Sequence, residues 1–390
     1  MLNTSLLALS LGSLTSMSPF LSQQQNIYIK NSNLFNSYSN FIYNAQSLVI
    51  KSTKFSNFLD SAIMIQRQEC IYNKEYTERP DSPKMNDNII CQDAMFIKCI
   101  AKVDGGAFSH FSPDSGSLSV SRTTFIECQS GLNPGDGGCI YFSGRESYIN
   151  SSCVYKCSAG RDGHSFCISI RNELPNPNHC NSTVILMSSP KSAARGWQSL
   201  YLGFGKIRIT DLNSTENAVV TQAGSFMMHT MDSDAIALHC TIKNNIGPWI
   251  VYLFGKQGSK IEQSNFVGNK LAKSHEQGLI MFHRLGQINN CIFSHPEGKL
   301  FKQNREGAEI TVNNCVFDCP FDDEKGVALN NCKFLINDLE TLPLAHLHTA
   351  MCVSNRDLMK NPIGEADIVM KMKKYFPDPK KLLKGANDEE

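Results

Sequence analysis

The sequence predicts an all-β fold, a single-stranded right-handed parallel β-helix in which the chain winds as a solenoid. Three observations predict it. A degenerate repeat is anchored on phenylalanine, a glycine turn and an alternating apolar run precede most copies, and registered copies recur at about 24 to 30 residues. That period is too short for a strand-helix-strand unit of roughly 30 or more residues and suits one coil of two or three strands.

The anchor carries an aliphatic residue five positions before it and a small or polar residue three positions after. Copies run from Ile50 to Phe55, Val120 to Phe125 with Cys128, Ile149 to Val154 with Cys157, and Ile261 to Phe266 with Asn269. They continue from Ile288 to Phe293, Val312 to Phe317, and Leu329 to Phe334 with Asn337. Phe96 with Cys99, and Ile242 with Ala237 before and Asn245 after, are substituted copies. The segment IYIKNSNLF at 27–35 reads as a first copy with one residue inserted.

Two positions before the anchor stand Thr53, Ala94, Thr123, Ser152, Cys240, Ser264, Cys291, Cys315 and Cys332, all small. A large anchor inside a narrow tube needs such a neighbour. The column after the anchor, Cys99, Cys128 and Cys157 giving way to Asn245, Asn269 and Asn337, suits side chains that bond or pack against neighbouring turns. The glycine elements are Gly105-Gly106, Gly137-Gly138, Gly163, Gly224, Gly247, Gly278 and Gly326, each read as a corner ahead of a strand. Successive coils are expected ~4.8 Å apart.

Between Val154 and Ile242 the pattern weakens, with turns placed only at 184–186 and 207–212. Segments 73–88 and 171–179 are polar, contain proline and read as extruded loops. Residues 1–26 hold a short apolar run, Leu6 to Leu11, without a basic start, and read either as a signal peptide or as an N-terminal cap. The solenoid is assigned to 27–355. Residues 356–390 read as a short helical cap and a charged tail, which covers an otherwise open strand edge.

Of the 390 residues, 41% are apolar and 19% charged, with a formal charge of +1, which gives no electrostatic reason to expect nucleic acid or an anionic membrane. No stretch reaches the roughly 20 apolar residues of a membrane-spanning helix. Fifteen cysteines, an odd number, leave at least one thiol unpaired within the chain. Sequons at Asn3, Asn150, Asn181 and Asn213 become glycan acceptors if the chain is secreted; a secreted or cell-surface location is the expectation, with a cytoplasmic one as the alternative.

The GGA and GGC turns combined with F-x-x-N and F-x-x-C strands resemble the repeats of chlamydial polymorphic membrane proteins and of related trichomonad surface proteins. Those repeats are similar to pectin-lyase-like β-helices. The resemblance spans roughly 27–337 and implies a surface protein, although this chain shows neither the bacterial membrane barrel nor a transmembrane segment.

Asp104, Asp136 and Asp162 each precede a turn glycine in consecutive copies, with Arg161 and His164 beside the third. Stacked coils would align these carboxylates in a column able to hold a ligand or a cation, or to act as the paired acids of a glycosidase. Asp before Gly is also a favoured turn pair in its own right. His164 and Arg208 faintly resemble the histidine and arginine motifs of polygalacturonases, but the Asn-Thr-Asp and paired-Asp motifs are missing, so no catalytic residue is assigned. Cys153/Cys157 and Cys315/Cys319 have a spacing that zinc sites allow, with no histidine pair following, and read as core or corner thiols; no metal site and no cofactor is assigned. The function expected is a non-enzymatic recognition or adhesion scaffold for a glycan or a host or cell-surface protein. The alternative is a carbohydrate-active enzyme, a polysaccharide lyase or glycoside hydrolase, with Arg208 or Lys206 directed into a carboxylate cleft.

Overall fold

The computed structural model describes residues 20–21 and 26–344, apart from 44, 46, 67–87, 112–115, 132–134, 171–175, 190–195, 231–234, 256–257, 273–277, 295, 297–298 and 322–324. The expected signal peptide or cap, most of the loop at 73–88 and the C-terminal helix and tail lie outside these residues. Among the described residues there is no helix. The described residues form a parallel β-solenoid of three long sheets with eleven, twelve and eleven strands, to which a typical coil contributes one strand apiece, and a small two-stranded sheet pairs Ile246–Gly247 with Lys270–Leu271.

One coil runs Ile140–Gly144 in the first sheet, Glu146–Asn150 in the second and Cys153–Tyr155 in the third. Every inter-coil pairing is parallel, and only the stretch around Gln198 and Ala223 shifts register. Alternation explains which side faces the core. In Glu146–Asn150, Ser147 and Ile149 are buried while Tyr148 and Asn150 face solvent.

The phenylalanine anchors meet as the repeat predicts. Phe55 stacks on Phe96 at 4.8 Å and Phe96 on Phe125 at 5.3 Å. Phe266, Phe293, Phe317 and Phe334 stack at 4.6, 4.8 and 4.7 Å. Register continues through Val154, Ile185, Ser214 and Ile242 in the gap between the two stacks. The weak region therefore holds two full copies, Cys180 to Ile185 with Ser188 and Ile209 to Ser214 with Asn217, whose anchors are simply no longer aromatic.

The small column has a second cause beyond space. Thr53 Oγ1 and Ser264 Oγ donate to the carbonyls of Lys51 and Glu262 at 2.9 and 2.8 Å, and Cys315 Sγ to Asn313 at 3.3 Å. Each bond closes over a left-handed corner residue, here Ser52, Gln263 and Asn314. A second left-handed corner follows two residues after the anchor, at Asn57, Glu127, Lys156 and Asn244, with φ of 51 to 56°. None of these corners carries glycine. They are instead polar residues whose amides bond the next coil, as Arg122 N does Asn150 O at 3.1 Å, which offsets a conformational cost of about 1 kcal/mol. Glycine is needed at the corner ahead of the first sheet, where a Cβ on Gly105 would meet Phe108 O at 2.0 Å.

Three further expectations are corrected. The first copy has no insertion, since Ile29 aligns with Ile50 and Leu34 with Phe55, leaving Phe35 exposed. Gly326 precedes a second-sheet strand, Val327–Asn330, unlike the other glycine elements. Residues 177–179, the end of the segment expected as a loop, belong to a second-sheet strand, Pro177–Asn181. Its inward Asn178 is fully buried because it accepts from Ser147 Oγ at 2.9 Å and donates to Gly203 O and Phe204 O at 3.1 Å, and proline is tolerated at a strand's first residue.

The column after the anchor forms a buried polar ladder. Asn245 Oδ1 accepts from Asn217 N at 3.0 Å, Asn245 N donates to Asn269 Oδ1 at 3.0 Å, and Asn245 Nδ2 donates to Ser214 O at 2.9 Å. Above it, Cys99, Cys128 and Cys157 are free thiols fully inside the tube, and Cys128 N donates to Cys157 Sγ at 3.3 Å.

Candidate functional site

The three DG turns stack as expected. Gly105 N bonds Asp136 O and Gly137 N bonds Asp162 O, both at 2.8 Å, so Asp104, Asp136 and Asp162 occupy one column at the entrance to the first sheet. Each carboxylate also caps the next turn. Asp104 Oδ1 accepts from Asp136 N at 2.8 Å, and Asp136 Oδ1 accepts from Asp162 N at 3.0 Å. Arg161 clamps Asp136 through both guanidinium edges, with Nε to Oδ1 at 2.9 Å, and reaches Asp162 Oδ2 at 3.4 Å.

These contacts separate the three acids. Asp136 is buried with both oxygens engaged. Burial pushes the carboxyls of Asp104 and Asp162 up to about 6, and the charge of Asp136 adds to the rise in each. His164 is fully buried; Ala159 N donates to its Nδ1 at 2.9 Å, so the ring proton sits on Nε2, and burial lowers its pKa to about 4. His164 thus props the turn from inside and presents nothing to solvent. Arg208 and Lys206 lie on the exposed face of the second sheet, beside His179 and Pro177, and do not converge with the carboxylates.

A second feature adjoins the column and escaped the sequence reading. On the outward face of the first sheet, Cys167, Tyr201, Met227, Tyr252 and Met281 are in-register neighbours on successive coils. A parallel row carries His229 and Phe254, with Phe204 and His283 against them. Phe254 stacks on His283 at 4.0 Å and meets His229 edge-on at 4.3 Å, and Phe204 lies 4.8 Å from His229. Trp249 sits 5.1 Å from Tyr252. Asp162 and Asp136 are close enough for their charge to raise the Tyr201 phenol pKa further, although burial is the larger cause.

A hydrogen bond fixes the tautomer of His283. Asn304 Nδ2 donates to Tyr252 Oη at 2.9 Å and to His283 Nδ1 at 3.0 Å, and Tyr201 Oη bonds His229 Nδ1 at 3.1 Å. Burial lowers the pKa of both rings, that of His229 to about 4. Both imidazoles are therefore neutral, and His283, whose Nδ1 accepts from the Asn304 amide, carries its proton on Nε2, while Nε2 of His229 is buried. The pattern was hidden because the outward residues here are as apolar as the inward ones, so no polar residue in PWIVYLF or GLIMF marks the outer face.

Other candidate positions divide similarly. Cys157 lies in the interior core whereas Cys153 packs outside the third sheet with Val184 and Leu186, so the two do not converge; Cys315 is interior with Cys319 packed at its edge. Burial pushes the Cys139 thiol up to about 11 and Cys91, Cys180 and Cys240 to about 12, the range of unreactive core thiols. Among the sequons, Asn150 is exposed, Asn181 partly so, and Asn213 is buried with its Oδ1 accepting from Thr215 Oγ1 at 2.7 Å. No helix of the described residues is long and apolar enough to cross a membrane. No protein-family model, curated protein or solved structure matches the chain.

Proposed function

We propose that the protein is a recognition scaffold that binds a glycan along the outward face of its first sheet, as a secreted or surface-exposed rod. The observation that carries this reading is the row of His229, Phe254 and His283, an aromatic face beside which His283 carries its ring proton on Nε2. Sugar rings offer apolar C–H faces and hydroxyl edges, and such a face matches both. Parallel coils repeat it at a fixed ~4.8 Å, so a polymer would gain affinity from several shallow contacts. The resemblance of the repeat to chlamydial and trichomonad surface proteins supports the same location.

The Asp column contributes an edge to this face rather than a catalytic pair. Asp136 has no free oxygen, and Arg161 neutralises it. The enzyme reading draws support from the raised pKa values of Asp104 and Asp162, since a carboxyl near 6 suits a general acid. Reducing-end release from acidic polysaccharides would favour it.

Affinity electrophoresis through gels loaded with soluble polysaccharides tests the proposal. Retardation by at least one polysaccharide is expected, weakened about tenfold in Phe254→Ala and His283→Ala. Unretarded migration across a broad panel, or retardation unchanged in Phe254→Ala, would overturn it.

A further inference from the structure

We propose that the solenoid docks on an anionic membrane surface through the corner between its second and third sheets, on the coils nearest the N-terminus. This inference does not use the first sheet, so it and the glycan reading can fail separately. A five-residue strand of the second sheet points its first, third and fifth side chains outward. In Asn26–Lys30, Ser47–Lys51 and Asn88–Gln92 the third position stacks Tyr28, Val49 and Ile90 in register. Tyr28 and Ile90 are 52 and 39% exposed. Across the corner, Phe35 and Ile97 share an outward row of the third sheet, with Phe35 46% exposed. On the next coil the Tyr28 column passes to Ser119, so the apolar surface on the second sheet ends there.

Lysines occupy the ridge between the two apolar flanks. Lys30 and Lys51 are the last outward residues of their second-sheet strands and are in register, on strands ~4.8 Å apart. Lys54 opens the third-sheet strand Lys54–Phe58, three residues after Lys51 (54 − 51). Like charges side by side on neighbouring strands repel, and the carboxylates of this end are already engaged. From Asn26 to Val103 the described carboxylates are Asp60 and Asp93. Asp60 Oδ1 accepts from Ser61 N at 2.8 Å, and Arg122 holds both oxygens of Asp93 at 2.8 and 2.9 Å. Lys98 pairs with Glu127, whereas Lys30, Lys51 and Lys54 pair with no carboxylate. The formal charge of +1 averages this local excess of cations away.

Shape selects the partner. The corner is convex and its apolar flanks belong to two different sheets, so a preformed groove on a protein would have to match both. The headgroup region of a bilayer is fluid. It takes up Tyr, Phe and aliphatic side chains to a shallow depth and offers anionic groups to the lysines. A sulfated polysaccharide would meet the lysines but leave Val49, Ile90 and Ile97 without an apolar partner.

The test is cosedimentation of the full chain with vesicles of phosphatidylcholine alone or of an equal mixture of phosphatidylcholine and phosphatidylserine. Binding to the mixed vesicles and release at high salt are expected, with no binding to phosphatidylcholine alone. Lys30→Glu with Lys51→Glu, and Tyr28→Ser with Phe35→Ser, should each weaken binding at least about tenfold while far-UV dichroism is unchanged. Lys206→Glu with Arg208→Glu, the same change of charge farther along the second sheet, should leave it unaltered. No binding to the mixed vesicles, equal binding to neutral ones, undiminished binding in either corner variant, or an equal loss in the Lys206 and Arg208 variant would overturn the proposal. Retention on heparin without vesicle binding would overturn it too, in favour of a sulfated polysaccharide.

Discussion

Arg161 forms a two-pronged ion pair with Asp136 of the preceding coil, Nε to Oδ1 at 2.9 Å, while Asp136 Oδ1 also accepts the Asp162 amide at 3.0 Å. One carboxylate thereby ties a side chain and a backbone turn from the coil above. Because Asp136 is buried and Arg161 is partly exposed, the pair is asymmetric: removing the cation leaves a buried anion held by the Asp162 amide. Arg161→Ala is expected to destabilise the chain by about 2 kcal/mol in urea unfolding. A loss under about 0.5 kcal/mol would show that the Asp162 amide alone satisfies the carboxylate.

Asp162 sets a pH dependence of definite sign. Its carboxyl titrates at about 6 in the folded chain, against 3.8 for an unperturbed one. Below 3.8 both states are protonated; between the two values the unfolded chain has lost the proton that the folded chain keeps. Its contribution to stability is therefore full below the lower value and lost as pH rises through the higher. Asp162→Asn is expected to raise stability by about 1 kcal/mol at pH 7.5 and to give no such gain at pH 4, read from urea midpoints at both pH values. Equal effects at the two pH values would contradict the buried, ionisable placement.

His164 moves in the opposite direction. Its folded pKa of about 4 lies below the ordinary 6.5, so its contribution is present above 6.5 and lost as pH falls through 4. Nitrogen NMR of the ring at pH 5 should show a neutral Nε2–H tautomer. A protonated ring at that pH would mean that the site is open to water.

Phe293 stacks on Phe266 and Phe317 at 4.6 and 4.8 Å and is fully buried. Phe293→Ala should cost about 4 kcal/mol, because neither neighbour can collapse into the gap without leaving its own sheet register. Exposed Phe35, which misses the column by one position, should cost less than about 1 kcal/mol when changed to alanine. Similar costs at the two positions would argue against the stack.

Asn245→Leu removes the acceptor for Asn217 N and the donor to Ser214 O at once, both in the interior. A loss of about 3 kcal/mol is expected, well beyond that of its exposed neighbour in Asn244→Ala. Hydrogen exchange at the Asn217 amide provides the local readout: it should become faster than in the natural chain, and unchanged protection would remove the ladder from the stabilising contacts.

The sequence by itself determined the solenoid. Ile288 to Phe293 and Val312 to Phe317 differ in detail but share one spacing, and a side-chain period of two converts that spacing into a common inward face. It also placed Asp104, Asp136 and Asp162 in one column, because identical turns on stacked coils must superpose. Tertiary structure alone decided the rest. Asn178 is buried because Ser147 and the carbonyls of Gly203 and Phe204, all distant in the chain, satisfy its amide, so local polarity misplaced its strand in a loop. The Phe254 and His283 face was invisible for the converse reason: outward residues that pack on one another across coils no longer need to be polar, and the alternation that marks a half-exposed strand disappears. Left-handed corners at Arg122, Glu127 and Asn290 likewise carry no glycine, since the hydrogen bond each amide makes to the next coil, and not the residue type, holds the backbone there.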